Sequence, residues 1–313
     1  MKRHLAQLGI VFATLVASPA GAQQVADTTF YPTISSSAFE SGSGPTVLID
    51  EAHFNFHTAG GRYLPFANLL RRDGYVVVAS RSRFNPELLE GADILVISNA
   101  LAEENSEDWS LPTSSAFDSE EIAAVLGWVA DGGSLFLIAD HMPFPGAAEE
   151  LAASFGVLLG NGFAIGAEEG RAPMIFRRSD GSLADHPVTN GREPRERVDS
   201  VATFMGQAFR VPLRASQLLT LQTPSVLLLP ERAWQFTDAT PRIRADGLAQ
   251  GALLRHGKGR VAIFGEAAMF SAQVDGRSRS PMGMNAPQAS QNPQFLLNLM
   301  HWLSGILDSV PQN

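Results

Sequence analysis

Residues 117–139, FDSEEIAAVLGWVADGGSLFLIA, contain the repeating unit of the fold, one helix followed by one strand. The first part predicts a helix, because Asp118 can cap it and Glu121 stands at the position that completes a capping box. The helix is expected to end at the glycine pair that follows residue 131. The apolar run Ser134 to Ala139 is short and continuous, which is typical of a strand buried on both faces.

The same alternation extends outward from this unit in both directions. Other apolar runs of strand length are TVLID (46–50), YVVVA (75–79), ADILVIS (92–98) and RVAIF (260–264). Helical patterns lie between several of these runs, and such alternation indicates a parallel sheet with helices on both faces. The sequence therefore predicts an α/β fold, a three-layer sandwich with a mainly parallel, flavodoxin-like sheet.

The middle of the chain has a different pattern, in which no long helix separates the strand-like runs. This pattern predicts an inserted antiparallel β region at about 170–255, within a single α/β domain that spans 45–308. A helix is predicted over 146–155, before this region. The last helix is predicted to begin with Asn292 as its cap and Pro293 at its first position.

The N-terminus has the pattern of a signal peptide over residues 1–22. A charged start precedes a short apolar run, and small residues suit signal-peptidase cleavage after Ala22. The run is shorter than the roughly 20 residues that cross a bilayer, so no membrane span is expected in the mature protein. Residues 23–44, rich in Ser, Thr and Gly, predict a flexible leader. We therefore expect a periplasmic or secreted protein.

Composition limits both the partners and the chemistry. The 313 residues carry a formal net charge of −9, which argues against a nucleic-acid partner because phosphates require a basic face. The chain has no cysteine, so it can form no disulfide and has no thiol nucleophile. It also lacks the GxSxG motif of many serine hydrolases. A small-molecule ligand is the expected partner, and the sequence leaves the oligomeric state open.

Acidic and histidine side chains follow several of the predicted strands. In an open parallel sheet, ligands bind beyond the carboxyl ends of the strands, so these side chains are expected to converge there. Together they suit general acid–base catalysis, or they suit a divalent metal such as zinc, manganese or iron. The candidate catalytic residues are Glu51, Asp140, His141 and Glu266, and the candidate metal ligands are Asp50, His53 and His57.

Each of these residues also has a structural interpretation when it is taken alone. An aspartate at the end of a strand often caps the next helix, and a buried polar side chain often satisfies loop backbone. The spacing of His53 and His57 places both on one face only if their segment is helical. The convergence of three segments, and no single residue, therefore favours a site.

The order of these segments resembles the class I glutamine amidotransferase-like superfamily. The nucleophile elbow of that superfamily corresponds to LIADH (137–141), where this chain has Asp140 in place of cysteine. The sequence is more similar to the GIFT-type and ThuA-like branches, which lack the cysteine. The similar stretches are DEAHFNFHTAGGRYLPF (50–66), ADILVISNA (92–100), DHPVTNGR (185–192), GKGRVAIFGEAAMF (257–270) and NPQFLLNLMHWL (292–303).

The resemblance covers most of the mature chain and implies two functional expectations. One is an exported hydrolase that acts on a small or carbohydrate-derived substrate through its His/Asp/Glu site, with or without a divalent metal. The ThuA-like similarity is the source of the carbohydrate expectation. The other is a non-catalytic ligand-binding or assembly domain of the cell envelope. Amidotransferase activity is not implied, because the residue that performs it is absent.

Overall fold

The computed structural model describes residues 24–166 and 173–309. The predicted signal peptide and its cleavage point lie outside these residues. The helices are α1 (Leu64–Arg72), α2 (Pro86–Glu90), α3 (Ser119–Asp131), α4 (Phe144–Ala147), α5 (Glu149–Ser154), α6 (Pro187–Asn190) and α7 (Asn292–Leu303). The strands are β1 (Val25–Ala26), β2 (Thr46–Asp50), β3 (Val76–Ser80), β4 (Ile94–Ser98), β5 (Ser134–Ile138), β6 (Phe163–Ile165), β7 (Met174–Arg177), β8 (Ser200–Thr203), β9 (Ser216–Thr220), β10 (Val226–Leu228), β11 (Arg242–Arg244), β12 (Ala249–His256), β13 (Gly259–Phe264), β14 (Ala272–Val274) and β15 (Pro281–Gly283).

The main sheet is mixed and has seven strands in the order β3-β2-β4-β5-β13-β12-β9. The first five of these pair in parallel, and β12 and β9 extend the sheet with antiparallel pairing. The predicted mixed α/β class is confirmed. Two strands from the region predicted as an insertion, β9 and β12, therefore belong to the main sheet itself.

Alternate residues of the central strands enter two different hydrophobic clusters. In β4, Ile94 and Val96 join the cluster that contains α1 and α7, whereas Leu95 and Ile97 join the cluster that contains α3 and α5. This alternation follows from the two-residue period of a strand. The side chains on both faces of β4 are fully buried, so the strand has a continuous apolar sequence. This is the sequence pattern from which the strand was predicted.

The observed helix boundaries and caps confirm one prediction and correct two others. Asp118 and Glu121 form the predicted capping box at the start of α3. The helix predicted over 146–155 is instead two short helices, α4 and α5, which meet at Ala148. The prediction that Asn292 caps the last helix is wrong, because the Asn292 side chain bonds the backbone of Ala202 on β8, at 3.0 and 2.8 Å.

Three small antiparallel sheets complete the fold. They are β1-β14-β15, β11-β10-β6 and the pair β7-β8. The loops around the first two lie against the carboxyl ends of the parallel strands, because their residues line the same pocket as the ends of β4, β5 and β13. In the part of the chain that the structure describes, no helix is both long and apolar enough to cross a membrane.

Candidate functional site

Four of the predicted site residues line one pocket at the carboxyl ends of the parallel strands. The pocket has a volume of about 90 Å³. The predicted residues that line it are His57, Asp140, His141 and Glu266. They come from three separate loops, which the parallel pairing of β2, β4, β5 and β13 brings to one edge of the sheet.

Asp140 lies at the sharp turn after β5 and is held by backbone on both sides. Its Oδ1 accepts a hydrogen bond from the backbone N–H of His141 at 2.7 Å. Its Oδ2 accepts one from the backbone N–H of Ala267 at 3.3 Å, which ties it to the loop after β13. Its own backbone N–H donates to Oδ1 of Asn99 at 2.9 Å. Through its backbone N–H and its carboxylate, Asp140 therefore joins the ends of β4, β5 and β13.

Glu266 is the more deeply buried carboxyl group of the pocket, with 1% of its surface exposed. Its two oxygens accept hydrogen bonds from the backbone N–H groups of Ala268 and Met269, at 2.9 and 2.7 Å. Burial, and next the negative charge of Asp140, raise the pKa of Glu266 well above its usual value of 4.5, although these backbone bonds oppose the shift. A carboxylic acid beside a carboxylate is the arrangement that general acid–base catalysis requires.

The hydrogen-bond partners of the two pocket histidines fix their tautomers. Nδ1 of His57 accepts from the side-chain amide of Asn99 at 3.2 Å, so a neutral His57 carries its proton on Nε2. Burial, followed by the charges of Arg62 and His141, lowers the pKa of His57 to about 3, which keeps the ring neutral. Nδ1 of His141 donates to the carbonyl of Met142 at 2.7 Å, so the lone pair of a neutral His141 is on Nε2.

Aromatic rings surround His141, and one of them, Trp234, also lines the pocket. The imidazole stacks on Phe163, with ring centres 4.7 Å apart and an interplanar angle of 12°. Trp234 meets the same imidazole edge-on at 4.6 Å and is 50% exposed. Trp234 and Asn99 both have positive φ, 66° and 50°. Asparagine adopts this region readily, but a bulky residue such as tryptophan rarely does. The strained backbone of Trp234 at the pocket is consistent with a functional site.

Asp50 and His53, two of the candidate metal ligands, lie in a separate and closed cluster. Nδ1 of His53 lies 2.9 Å from both oxygens of Asp50, and its Nε2 lies 2.9 Å from Oε1 of Glu121. The ring is buried and packs against Phe84 and Phe117. Burial alone would lower the pKa of His53, but the hydrogen bonds and charges of Asp50 and Glu121 outweigh it and raise the pKa.

The structure therefore does not bring Asp50, His53 and His57 together as a set of metal ligands. Both ring nitrogens of His53 already bond to carboxylates, whereas His57 bonds Asn99 in the pocket. Across residues 24–166 and 173–309, no group of three or more histidine, aspartate or glutamate side chains has the arrangement of a metal site.

Glu51 also lies apart from the other candidate catalytic residues. Its Oε1 accepts from the backbone N–H of Ala59 at 2.9 Å, and its Oε2 lies 3.4 Å from Nε of Arg81. Arg81 is largely exposed to solvent. Glu51 does not line the pocket, so its position fits an anchor for the loop after β2.

Several pocket residues are absent from the candidates that the sequence supplied. Asn99 can be recognised from the sequence as a candidate site residue, because it directly follows the strand ILVIS. No sequence pattern points to the other pocket residues, which lie in loops or short strands with no motif: Trp234, Phe204, Gln24 and Gln273. A larger groove of about 680 Å³ lies beside β9, β12 and α7, remote from all of these residues. We place the site at the smaller pocket, because the acid–base groups converge there.

Comparisons with known proteins support the fold and assign no activity. No protein-family model and no curated protein matches the sequence. Among solved structures, the chain is similar to the mmIFT52 N-terminal domain, with 12% identity, 83% of this chain and 97% of that one covered, and a TM-score of 0.56.

Two further solved structures have lower similarity. One is a ThuA-like protein from Bacteroides uniformis, with 12% identity, 85% of this chain and 94% of that one covered, and a TM-score of 0.47. The other is a cytoplasmic protein from Salmonella typhimurium, with 14% identity, 83% and 98% coverage, and a TM-score of 0.48. A ThuA-like protein is thus among the structural neighbours, but similarity at this level transfers no function to this chain.

Proposed function

We propose that this chain is an exported hydrolase without amidotransferase activity, which acts on a small or carbohydrate-derived substrate in the strand-end pocket. The observation that carries the proposal is the pairing of Glu266, whose pKa is raised, with Asp140 in a pocket that also contains His141. The mixed α/β fold is compatible with the flavodoxin-like three-layer sandwich and the GIFT-type or ThuA-like branch that the sequence resembles. Carbohydrate specificity rests on the ThuA-like resemblance.

The pocket suggests a definite division of roles. Glu266, which keeps its proton, would donate that proton to the leaving oxygen of the substrate. Nε2 of His141 would take a proton from water, whose oxygen forms the new bond to carbon as the bond to the leaving oxygen breaks. Asp140 would act as a positioning residue, because its negative charge keeps Glu266 protonated. Proton exchange with solvent would then restore both groups.

A direct test compares two glutamates that the sequence alone does not separate. Wild type, Glu266→Gln and Glu51→Gln are assayed against a panel of nitrophenyl esters and nitrophenyl glycosides. We expect Glu266→Gln to lose about 10²- to 10⁴-fold in kcat, as for loss of a general acid. Glu51→Gln is the matched control, because it removes a carboxylate outside the pocket. Equal activity of the two variants would refute the assigned role of Glu266.

A second function, ligand binding without turnover, has support from a different observation. Among the described residues that line the pocket there is no cysteine or serine, and the buried Gln273 offers an amide that suits recognition. This alternative predicts that Glu266→Gln changes ligand affinity and that no substrate of the panel is hydrolysed by the wild type.

Export is the remaining part of the proposal and rests on the N-terminal sequence pattern. The expected mature protein begins at Gln23 and fractionates with the periplasm or the medium. N-terminal sequencing of the purified protein tests this, and retention of Met1 on membrane-bound protein would contradict it.

A further inference from the structure

The small sheet β1-β14-β15 forms a wall of the pocket that the proposed chemistry does not use. Gln24, Gln273 and Met282 line the pocket together with the acid–base residues. Gln273 lies on β14 and pairs directly with Met282 of β15 on one side and with Ala26 of β1 on the other. The pocket is therefore completed by the first strand of the described chain.

Gln273 is a deeply placed residue of the pocket wall, with only 2% of its surface exposed. Its amide atoms are not among the enclosed, unbonded side-chain atoms of the described residues, so we take them to be in contact with the pocket. An amide that faces a pocket bonds to whatever occupies it, water or ligand. A ligand that supplies matching polar groups can therefore replace water as the partner of Gln273.

Gln24 is placed beside Gln273 by the strand pairing. Ala26 lies opposite Gln273, so Gln24, two residues before Ala26, is its diagonal neighbour on the same face. The strand is also clamped in position. Nδ2 of Asn285 donates to Oδ2 of Asp27 at 3.0 Å and to the carbonyl of Gln273 at 2.9 Å, which joins the two strands.

We propose that Gln24 and Gln273 are ligand-binding residues that bind an uncharged, hydroxyl-bearing ligand. Each amide offers one acceptor and two donors, and hydroxyl groups match both because each hydroxyl donates and accepts. The negative charge of Asp140 repels anions, and the half-exposed Trp234 provides an apolar ring face in the same pocket. The inference deepens the proposed function, on which it rests for the identity of the pocket.

The test measures binding by the protein purified after expression of all 313 residues. The neutral probes are glucose, galactose, mannose and glycerol, and the charged probes are choline and acetate. Isothermal titration and saturation-transfer NMR compare wild type with Gln273→Leu and Gln24→Leu. Gln288→Leu is the matched control, because it makes the same change at an exposed position outside the pocket.

We expect the wild type to bind at least one neutral probe and neither charged probe. Binding should be at least tenfold weaker in Gln273→Leu, weaker in Gln24→Leu, and unchanged in Gln288→Leu. The melting temperature of Gln273→Leu should stay close to that of wild type, because the residue is replaced by an apolar side chain of similar size at the pocket wall.

Three results would overturn the inference. They are binding of a charged probe alone, binding of no probe, and equal affinity of Gln273→Leu and wild type. The outcome is separable from that of the proposed hydrolase. Binding of a neutral probe that depends on Gln273, with no hydrolysis of any substrate, would sustain this inference and reject the hydrolase.

Discussion

Two acid–histidine clusters both include a histidine of the loop after β2, and they differ in what surrounds their imidazoles. In the closed cluster, Asp50, His53 and Glu121, both ring nitrogens bond to carboxylates. In the open cluster, His57, Asp140, His141 and Glu266, the nitrogens bond to an amide and a carbonyl, and the side chains face a cavity. The two clusters contain nearly the same residue types, and they differ in the hydrogen bonds of their histidines and in whether they face a cavity.

The difference teaches that residue type at a strand end does not by itself identify a functional group. A histidine whose two nitrogens are occupied by buried carboxylates has no lone pair or proton left for a ligand. A histidine with one nitrogen bonded to a carbonyl keeps the other for chemistry. We therefore expect substitutions in the closed cluster to change stability, and substitutions in the open cluster to change function.

The largest effect is expected for His53→Ala. This change leaves the carboxylates of Asp50 and Glu121 buried without their shared partner, and such a loss costs about 3–5 kcal/mol. Urea denaturation at neutral pH measures the free energy of unfolding. His141→Ala in the open cluster is the control and should cost clearly less. A loss below 1 kcal/mol in His53→Ala would show that the closed cluster is not structural.

The next effect depends on pH and concerns His57. Its pKa is about 3 in the folded protein and 6.5 in the unfolded chain, so below pH 6.5 only the unfolded chain takes up the proton. This residue should therefore cost stability as the pH falls, by about 3 kcal/mol at about pH 4.5. His57→Gln removes the titrating group. Denaturation of both proteins across this range should show a smaller acid loss in the variant, and parallel curves would contradict it.

For Glu266, the contribution to stability should change with pH in the opposite direction. Because its pKa is raised in the folded protein, the wild type loses stability as the pH rises from 4.5 through the folded-state pKa. Glu266→Gln cannot ionise, so its stability relative to wild type should increase over the same range, by about 1.4 kcal/mol for each unit by which the pKa is raised. Melting temperatures of both proteins at several pH values test this. A difference that does not change with pH would contradict the raised pKa.

The sequence predicted the strands and part of the open cluster because both follow from local rules. Strands such as ILVIS must be apolar on both faces, and the residues after parallel strands must meet at one edge. It could not predict that Glu121, 68 residues from His53, would reach that ring and close a separate cluster. Nor could it predict the placement of Trp234 or Gln273, because the loop of Trp234 and the three-residue strand of Gln273 are positioned by tertiary contacts and contain no motif.

The smallest stability change is expected for Asp140→Asn, and its sign separates the two interpretations of the open cluster. The amide keeps an oxygen to accept from the backbone N–H of His141, and it gives up only the longer bond of 3.3 Å from Ala267. It also removes the negative charge that raises the pKa of Glu266. Relief of that repulsion should leave stability equal or raise it by about 1 kcal/mol, while activity or ligand binding is lost.

A purely structural Asp140 predicts the reverse outcome. The substitution would then cost up to about 0.5–2 kcal/mol, as for a lost cap, and leave function intact. Asp131→Asn, at an exposed position at the end of α3, is the control for the loss of one negative charge from an acidic protein. Thermal melts at neutral pH, run beside a binding or activity assay, distinguish the two. A destabilised Asp140→Asn with full function would move Asp140 to the same structural class as Asp50, and the open cluster would then consist of His57, His141 and Glu266.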